Sequence, residues 1–363
     1  MVNFSQIISA SIEWTVAVLF RPFKPKKWLV LAFIALLAGQ LTGAGCNNSF
    51  NLPSRVSRKA DSKVSSSVEE EKSAVEQSSD ASQPVFEQLD KIRKNKKLFI
   101  AIIAFFIFVG LLFTWLCARF SFIFIDDVVR NEYLIRLPFK RFKGQGNSLF
   151  GFYLAFGAFS LLIFIGLVLI FILRLKGMGV FSKGVTLQPL AVVLAALPYI
   201  CAIALILFVL SLVYLVVRDF VQVVMIKDGA GFIFAWKKTL KILGKNTGNF
   251  ILYILVKIAV GICAWIISSV AYLIISVGLI FQGIPIVLAA IFVYKFLPVN
   301  LHFFYIAGSF VLGIPVLAFL VYCLLCVYLP FAVFHRVFSL KFMAHIAPEY
   351  NLFNNIRTTE AQK

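Results

Sequence analysis

The chain has 363 residues, of which 61% are hydrophobic and only 14% charged, against roughly 45–50% apolar residues in an ordinary soluble domain. What is left could not cover a water-facing exterior. Several runs of about 18 residues or more carry no charge, long enough as helix to cross a hydrocarbon layer of roughly 30 Å. Composition therefore excludes a soluble globular protein and predicts an all-α, polytopic membrane protein. Lys and Arg number 35 against 16 Asp and Glu, a formal charge of +19. The basic residues sit in the gaps between apolar runs, where orientation and anionic head groups call for them. No aromatic-and-basic groove of the single-strand type argues for nucleic acid.

In chain order, residues 4–20 place Ile7, Ile8, Ile12, Val16 and Leu19 at helical spacing with Ser5, Ser9 and Glu13 elsewhere, as in an interfacial helix. Pro22 and Pro25 then break the helix, and Arg21 to Lys27 form a basic turn expected on the cytoplasmic side. The run from Trp28 to about Ala44, ending in GAGCNN, invites two readings. A cleaved lipoprotein signal would have a Leu-like residue three before Cys46, but Gly43 stands there and some twenty residues precede the run. The first membrane span is the better reading.

Residues 46–97 change to a Ser-rich, charged composition that cannot bury a core, so a disordered loop is expected. Asn47-Asn48-Ser49 is a formal glycosylation triplet without other support. Further spans are expected at 98–116, 149–173, 190–217, 250–275 and 303–334. The stretch 277–294 is interrupted by Gly278, Gln282, Gly283 and Pro285 and reads as re-entrant or kinked. Six spans with the N-terminus inside put twenty of the 35 basic residues on the cytoplasmic side and thirteen outside. KIRKNKK, residues 91–97, runs against that model, because its five basic residues fall on the outer side.

An internal repeat is visible at an offset of about a hundred residues, with Arg119 against Arg218, Gly144 against Gly244 and Tyr153 against Tyr253. Each copy runs span, Arg, apolar extension, acidic turn, basic elbow helix, Gly/Asn turn, span. In the second copy Phe232, Trp236, Leu240 and Leu243 fall on one stripe beside Lys237, Lys238 and Lys241. Such an elbow would lie in the head-group plane. Arg136, Lys140 and Arg141 are its counterparts in the first copy.

RPFKPKKW, RDFV, FAWKKTLKIL with NTGNF, and FHRVFSLKFMAHIAPEY together resemble a family of uncharacterised bacterial multi-pass membrane proteins. In that family a Pro-Phe turn precedes a Trp-led span, and an aromatic-Ser-Leu segment ends in Gly-Pro-Glu-Tyr. The likeness covers roughly 10–45 and 215–350, and this chain has Ala347 in place of the Gly. The span–elbow–span unit is loosely similar to the membrane domain attached to some glycerophosphodiester phosphodiesterases, although no phosphodiesterase domain is present. The resemblance implies the topology and an uncleaved first span, and it implies no activity.

Chemistry-bearing patterns are sparse. His302, His335 and His345 lack ligand spacing, and there is no HExxH, GxSxG or phosphate-cradling Gly loop. Cys117, Cys201, Cys263, Cys323 and Cys326 lie in apolar runs and read as small core residues. No catalytic residue, metal site or cofactor is therefore expected, and the chain does not read as an enzyme. Ionisable residues at depth are the better lead, because each costs roughly 2.5–3.5 kcal/mol at a span centre unless satisfied. Lys257 could snorkel. Alternatively, Asp126, Asp127 and Asp219 could pair with Arg119, Arg218 or Lys257 of the neighbouring copy and clamp the two elbows together, with Gln40, Gln222 and Gln282 bridging helices.

The organisation expected is therefore an N-terminal interfacial helix and basic turn (1–27), a first span (28–45), a polar loop (46–97), a membrane-embedded repeat domain (98–334) and a cytoplasmic tail (335–363). The function expected is that of a structural, scaffold or lipid-associated accessory protein of the bacterial inner membrane. Its partners would be anionic membrane lipids and a membrane protein or second copy, and not nucleic acid. A transporter or permease component for a lipidic or amphiphilic substrate is the alternative, weakened by the lack of a polar stripe through the spans.

Overall fold

The computed structural model describes residues 3–41, 96–177 and 189–354. The polar loop read at 46–97 and the glycosylation triplet thus fall almost wholly outside the described residues. The chain divides into two units, one of residues 1–46 with 115–363 and one of residues 47–114, whose described part begins a long helix. Every regular element among the described residues is helical.

Helix α1 (Phe4–Phe20) is bounded as its sequence suggests: the Asn3 side chain accepts from the Gln6 amide at 3.3 Å, and Pro22 lies just past the end. Its environment is different from the one expected. It packs along the last long helix rather than lying free at an interface, burying Ile7, Ser11, Thr15, Val18 and Leu19 while Ile12 is exposed. The two buried hydroxyls are satisfied locally, Ser11 by the Ile7 carbonyl and Thr15 by the Ser11 carbonyl, so a polar stripe can face the core at little cost.

Helix α2 (Pro25–Leu37) has 13 residues, a length of about 20 Å against roughly 30 Å of hydrocarbon, and is shorter than the span expected over 28–45. It ends in a Schellman turn, with Gly39 at φ 66°, its amide on the Leu36 carbonyl and the Gln40 amide on the Ala35 carbonyl. Leu31, Ala32, Ile34 and Ala35 are buried, whereas Leu29 and Phe33 are exposed, so one apolar face packs on protein and the other does not.

Among the described residues, four helices are long and apolar enough to cross a membrane, over Ile100–Arg130, Lys143–Arg174, Ala196–Asp228 and Thr247–Phe296. They belong to α3 (Lys96–Arg130), α5 (Lys143–Gly177), the run from α6 (Pro189–Val216) through a π-helical turn (Val217–Val221) to α7 (Gln222–Asp228), and α9 (Thr247–Phe296). Of the about six spans expected, four are thus matched. The stretch 277–294 is neither re-entrant nor a separate span. It continues α9 without a break, with Pro285 inside a 50-residue helix of about 75 Å. Helix α10 (Val299–Val327) follows, and α11 (Leu329–Ile346) closes the fold with a 3₁₀ turn (Pro348–Tyr350).

The spans change environment along their length. On α3, Phe105, Phe106 and Phe108 are exposed, whereas Ala118 and Phe122 to Ile125 are fully buried. Such exposed aromatic and aliphatic surface is what lipid covers. The buried ends join two clusters: Phe122, Phe220, Tyr253, Phe338 and Phe342 in one, and Leu19, Leu31, Ile123, Phe124 and Val333 in the other. Helix α11 contributes to both. Residues 335–346, expected to begin a tail, are instead the end of this packed helix, with Arg336, Val337, Phe338 and Met343 all buried.

Candidate functional site

The enclosed ends of the spans hold a cluster of charged groups around the π-helical turn. A π turn places one extra residue in the ring and takes carbonyls out of the regular ladder. Here the Arg218 carbonyl receives a hydrogen bond from Nη1 of Arg336. The other terminal nitrogen, Nη2 of Arg336, donates to Gln222 Oε1. Gln222 Nε2 lies 3.3 Å from Ser121 Oγ and 3.4 Å from the Tyr153 hydroxyl. Arg336 is 1% exposed, and burial lowers its pKa to about 10.

On the other side of the turn, Lys257 forms a salt bridge with Asp219 Oδ2. Tyr253 donates to the same oxygen at 2.8 Å and shares a 2.7 Å hydrogen bond with Ser339. Lys257 also reaches Tyr253 at 3.1 Å and Ser339 at 3.3 Å. Its stem is thus held inward and does not snorkel. Arg218 donates through Nη2 to Gln40, which the Schellman turn of α2 delivers to this point. His335 lies beside the cluster with a buried Nδ1 that has no hydrogen-bond partner. Burial first, then Lys257 and Arg218, push its pKa down to about 4.

The remaining expected clamp residues stay within their own copy. Asp126 pairs with Arg130 at 2.9 Å and Arg141 at 3.9 Å. Asp127 accepts from the Leu134 amide at 3.2 Å, and its other oxygen is buried without a partner. Arg119 donates to Asn147 at 3.0 Å and lies 4.3 Å from the Trp115 ring and 4.8 Å from that of Phe139. Of the six residues, the structure brings Arg218, Asp219 and Lys257 together and leaves Arg119, Asp126 and Asp127 apart from them.

The two copies are joined by neutral groups. Ser148 Oγ, from the first copy, accepts the Phe232 amide at 2.8 Å and so caps elbow helix α8 (Phe232–Lys245) of the second. Phe152 stacks on Phe232 at 4.0 Å, and Gln222 reaches Ser121 and Tyr153. The repeat tyrosines, Tyr153 and Tyr253, both end on the segment 217–222. The side chain of Gln282 lies outside the described residues.

The elbows differ between copies. Pro138 leaves the first, α4 (Arg136–Arg141), at six residues, against fourteen in α8. Arg136, Lys140 and Arg141 are exposed on it. On α8 the buried face is Ala235, Thr239 and Leu243, rather than the Phe232–Trp236–Leu240 stripe. Ile233, Phe234 and Leu240 are exposed beside Lys237 and Lys241, and Lys238 pairs with Asp228 at 2.8 Å.

Arg336, Tyr253 and Ser339 were not legible as site residues. Arg336 nevertheless left a trace, since Leu329, Ala332, Val333, Arg336, Val337, Leu340 and Met343 follow one helical stripe with a single charge in it. Among the described cysteines, Cys201, Cys263, Cys323 and Cys326 are free.

These features define an α-helical membrane protein whose apolar helices share an enclosed polar cluster at their ends. The sequence comparison agrees in kind: residues 5–353 match a family of unknown function (DUF7544), and the chain belongs to that family. No curated protein and no solved structure matches it.

Proposed function

We propose that this protein is a membrane-embedded structural, scaffold or lipid-associated accessory protein of the bacterial inner membrane, with its N-terminus and both elbows on the cytoplasmic side. The observation that carries the reading is the placement of charge. The deep ionisable groups are gathered at the helix ends and bonded to the chain's own side chains, as Lys257 is to Asp219. A transport path would instead need polar groups along the apolar stretches. The outward face of α8, where Ile233 and Leu240 alternate with Lys237 and Lys241, supports contact with anionic head groups. About six crossings are proposed, the four long apolar helices together with α2 and α10, and the loose likeness to phosphodiesterase-linked membrane domains fits the repeated span–elbow unit.

The test replaces Asp126, Asp127 and Asp219 singly by Asn and compares protein accumulation with complementation of a deletion strain. If activity falls only where accumulation falls, the structural role stands. Normal accumulation with lost activity would replace it with the transporter reading. Topology is checked by cysteine labelling from outside intact cells, with Asn246 expected to be protected and Pro298 labelled.

A further inference from the structure

The cluster around the π turn is not neutral. Three cations, Arg218, Lys257 and Arg336, surround one carboxylate, Asp219, and among the described residues no other acid forms an ion pair with any of them. Asp219 is already committed to Lys257 and to the Tyr253 hydroxyl. The two guanidinium groups are therefore left with neutral acceptors only: the amide of Gln40 for Arg218, and the Arg218 carbonyl and Gln222 amide for Arg336.

Uncompensated buried charge is among the most costly arrangements a protein can hold, and here the surplus is two positive charges. Donors are also in surplus. A guanidinium has five N–H groups, and Nε of Arg336 is buried with no partner although the residue is 1% exposed. The equivalent arginine of the first copy is settled differently. Arg119, whose buried Nε also lacks a partner, lies against the faces of Trp115 and Phe139 and bonds Asn147, so that ring faces compensate its charge. Arg218 has no such ring beneath it among the described residues. The cluster is not sealed, since Arg218 is only half-buried and the Lys257 side chain is 17% exposed.

We propose that Arg218, Lys257 and Arg336 form a binding seat for a phosphate-bearing anion, with Arg218 and Lys257 at its open side and Arg336 behind them. A tetrahedral oxyanion of charge −1 to −2 matches the surplus, and guanidinium groups match its oxygens in bidentate geometry. The phosphate belongs either to an anionic lipid, since the seat lies at the ends of apolar helices where head groups reside, or to a soluble phosphate compound. The seat is separate from the elbow lysines and does not rest on their touching lipid.

The test uses the full-length protein purified in neutral detergent and phosphate-free buffer. Thermal unfolding is followed while inorganic phosphate, or short-chain phosphatidylglycerol, is titrated at constant ionic strength. A ligand of the folded state raises the midpoint saturably. A saturable rise with inorganic phosphate assigns a soluble ligand, and a rise with the lipid alone assigns a head group. In either arm Arg218→Gln should weaken binding at least tenfold, and Lys176→Gln, exposed in the last turn of α5, should leave it unchanged. Should Arg218→Gln not fold, Gln40→Ala decides: it removes the amide that competes for Arg218, so binding should tighten several-fold. The proposal is overturned by no saturable shift with either ligand, by unchanged affinity in Arg218→Gln or Gln40→Ala, or by loss of affinity in Lys176→Gln.

Discussion

Replacing Asp219 by Ala should destabilise the protein more than replacing its partner Lys257 by Met. Asp219 is 2% exposed and Lys257 17%, so solvent screens the pair weakly, and removing one member of such a pair costs about 3–5 kcal/mol. Without Asp219, three cations face one another with no carboxylate, and the Tyr253 hydroxyl loses an acceptor. About 4 kcal/mol is then at stake, or about 8 °C in unfolding midpoint at roughly 2 °C per kcal/mol for a chain of this size. Without Lys257, Asp219 still lies in the field of Arg218 and Arg336 and keeps Tyr253, so the loss should be nearer 2 kcal/mol on the same scale. The double variant should lose less than the two losses together, because the carboxylate and one of its cations leave in company. Unfolding in detergent, followed by tryptophan fluorescence in phosphate-free buffer, measures all three. Equal single losses, a greater loss for Lys257→Met, or strict additivity would refute the asymmetric cluster.

Gly146→Ala should cost about 1–3 kcal/mol by overpacking, because its new Cβ would lie 2.7 Å from Cγ of Arg119; Gly151→Ala, with nothing within 4 Å, should be neutral or slightly stabilising in the same melting assay. Ser148→Ala removes the acceptor of the Phe232 amide and should cost about 1 kcal/mol, read as faster hydrogen exchange in the first turn of α8. His335 supplies a pH test. Its folded pKa of about 4 lies below the ordinary 6.5, so the unfolded chain binds the extra proton between these values. Stability from this group is complete above pH 6.5, is lost as pH falls towards 4, and changes no further below that. The loss is about 3 kcal/mol at 1.36 kcal/mol per unit. His335→Gln should remove that part of the acid sensitivity, and an unchanged pH profile would show that the imidazole is not buried in its neutral form.

How far the sequence could be read follows from the range of each interaction. Helix α1 runs over residues 4–20 as its pattern suggests, because Asn3, Pro22 and Pro25 act within a few residues of its ends. Composition alone settled that the chain is helical and rich in long apolar segments, since backbone groups in hydrocarbon must be satisfied within one helix. The hundred-residue repeat was equally visible, and Tyr153 and Tyr253 do converge on one segment.

Tertiary structure decided the rest. An apolar run such as 28–44 meets the composition of a span and of a core helix alike. Only the structure shows that the helix stops at Gly39 and buries Leu31, Ala32, Ile34 and Ala35 on protein. The side of a helix that faces protein is also a property of its neighbours, which is why α1 buries Ser11 and Thr15 and α8 exposes Leu240. Charge pairing follows the same logic. Asp219 lies 38 residues from Lys257, and Arg336 lies 114 from Gln222. Spacing along the chain names groups able to pair, but whether two of them meet depends on helices packing from distant parts of the sequence. The elbows were expected to be clamped by acids. Ser148, Phe152 and Gln222 join the copies instead, because neutral groups can be buried at an interface at far lower desolvation cost than charges.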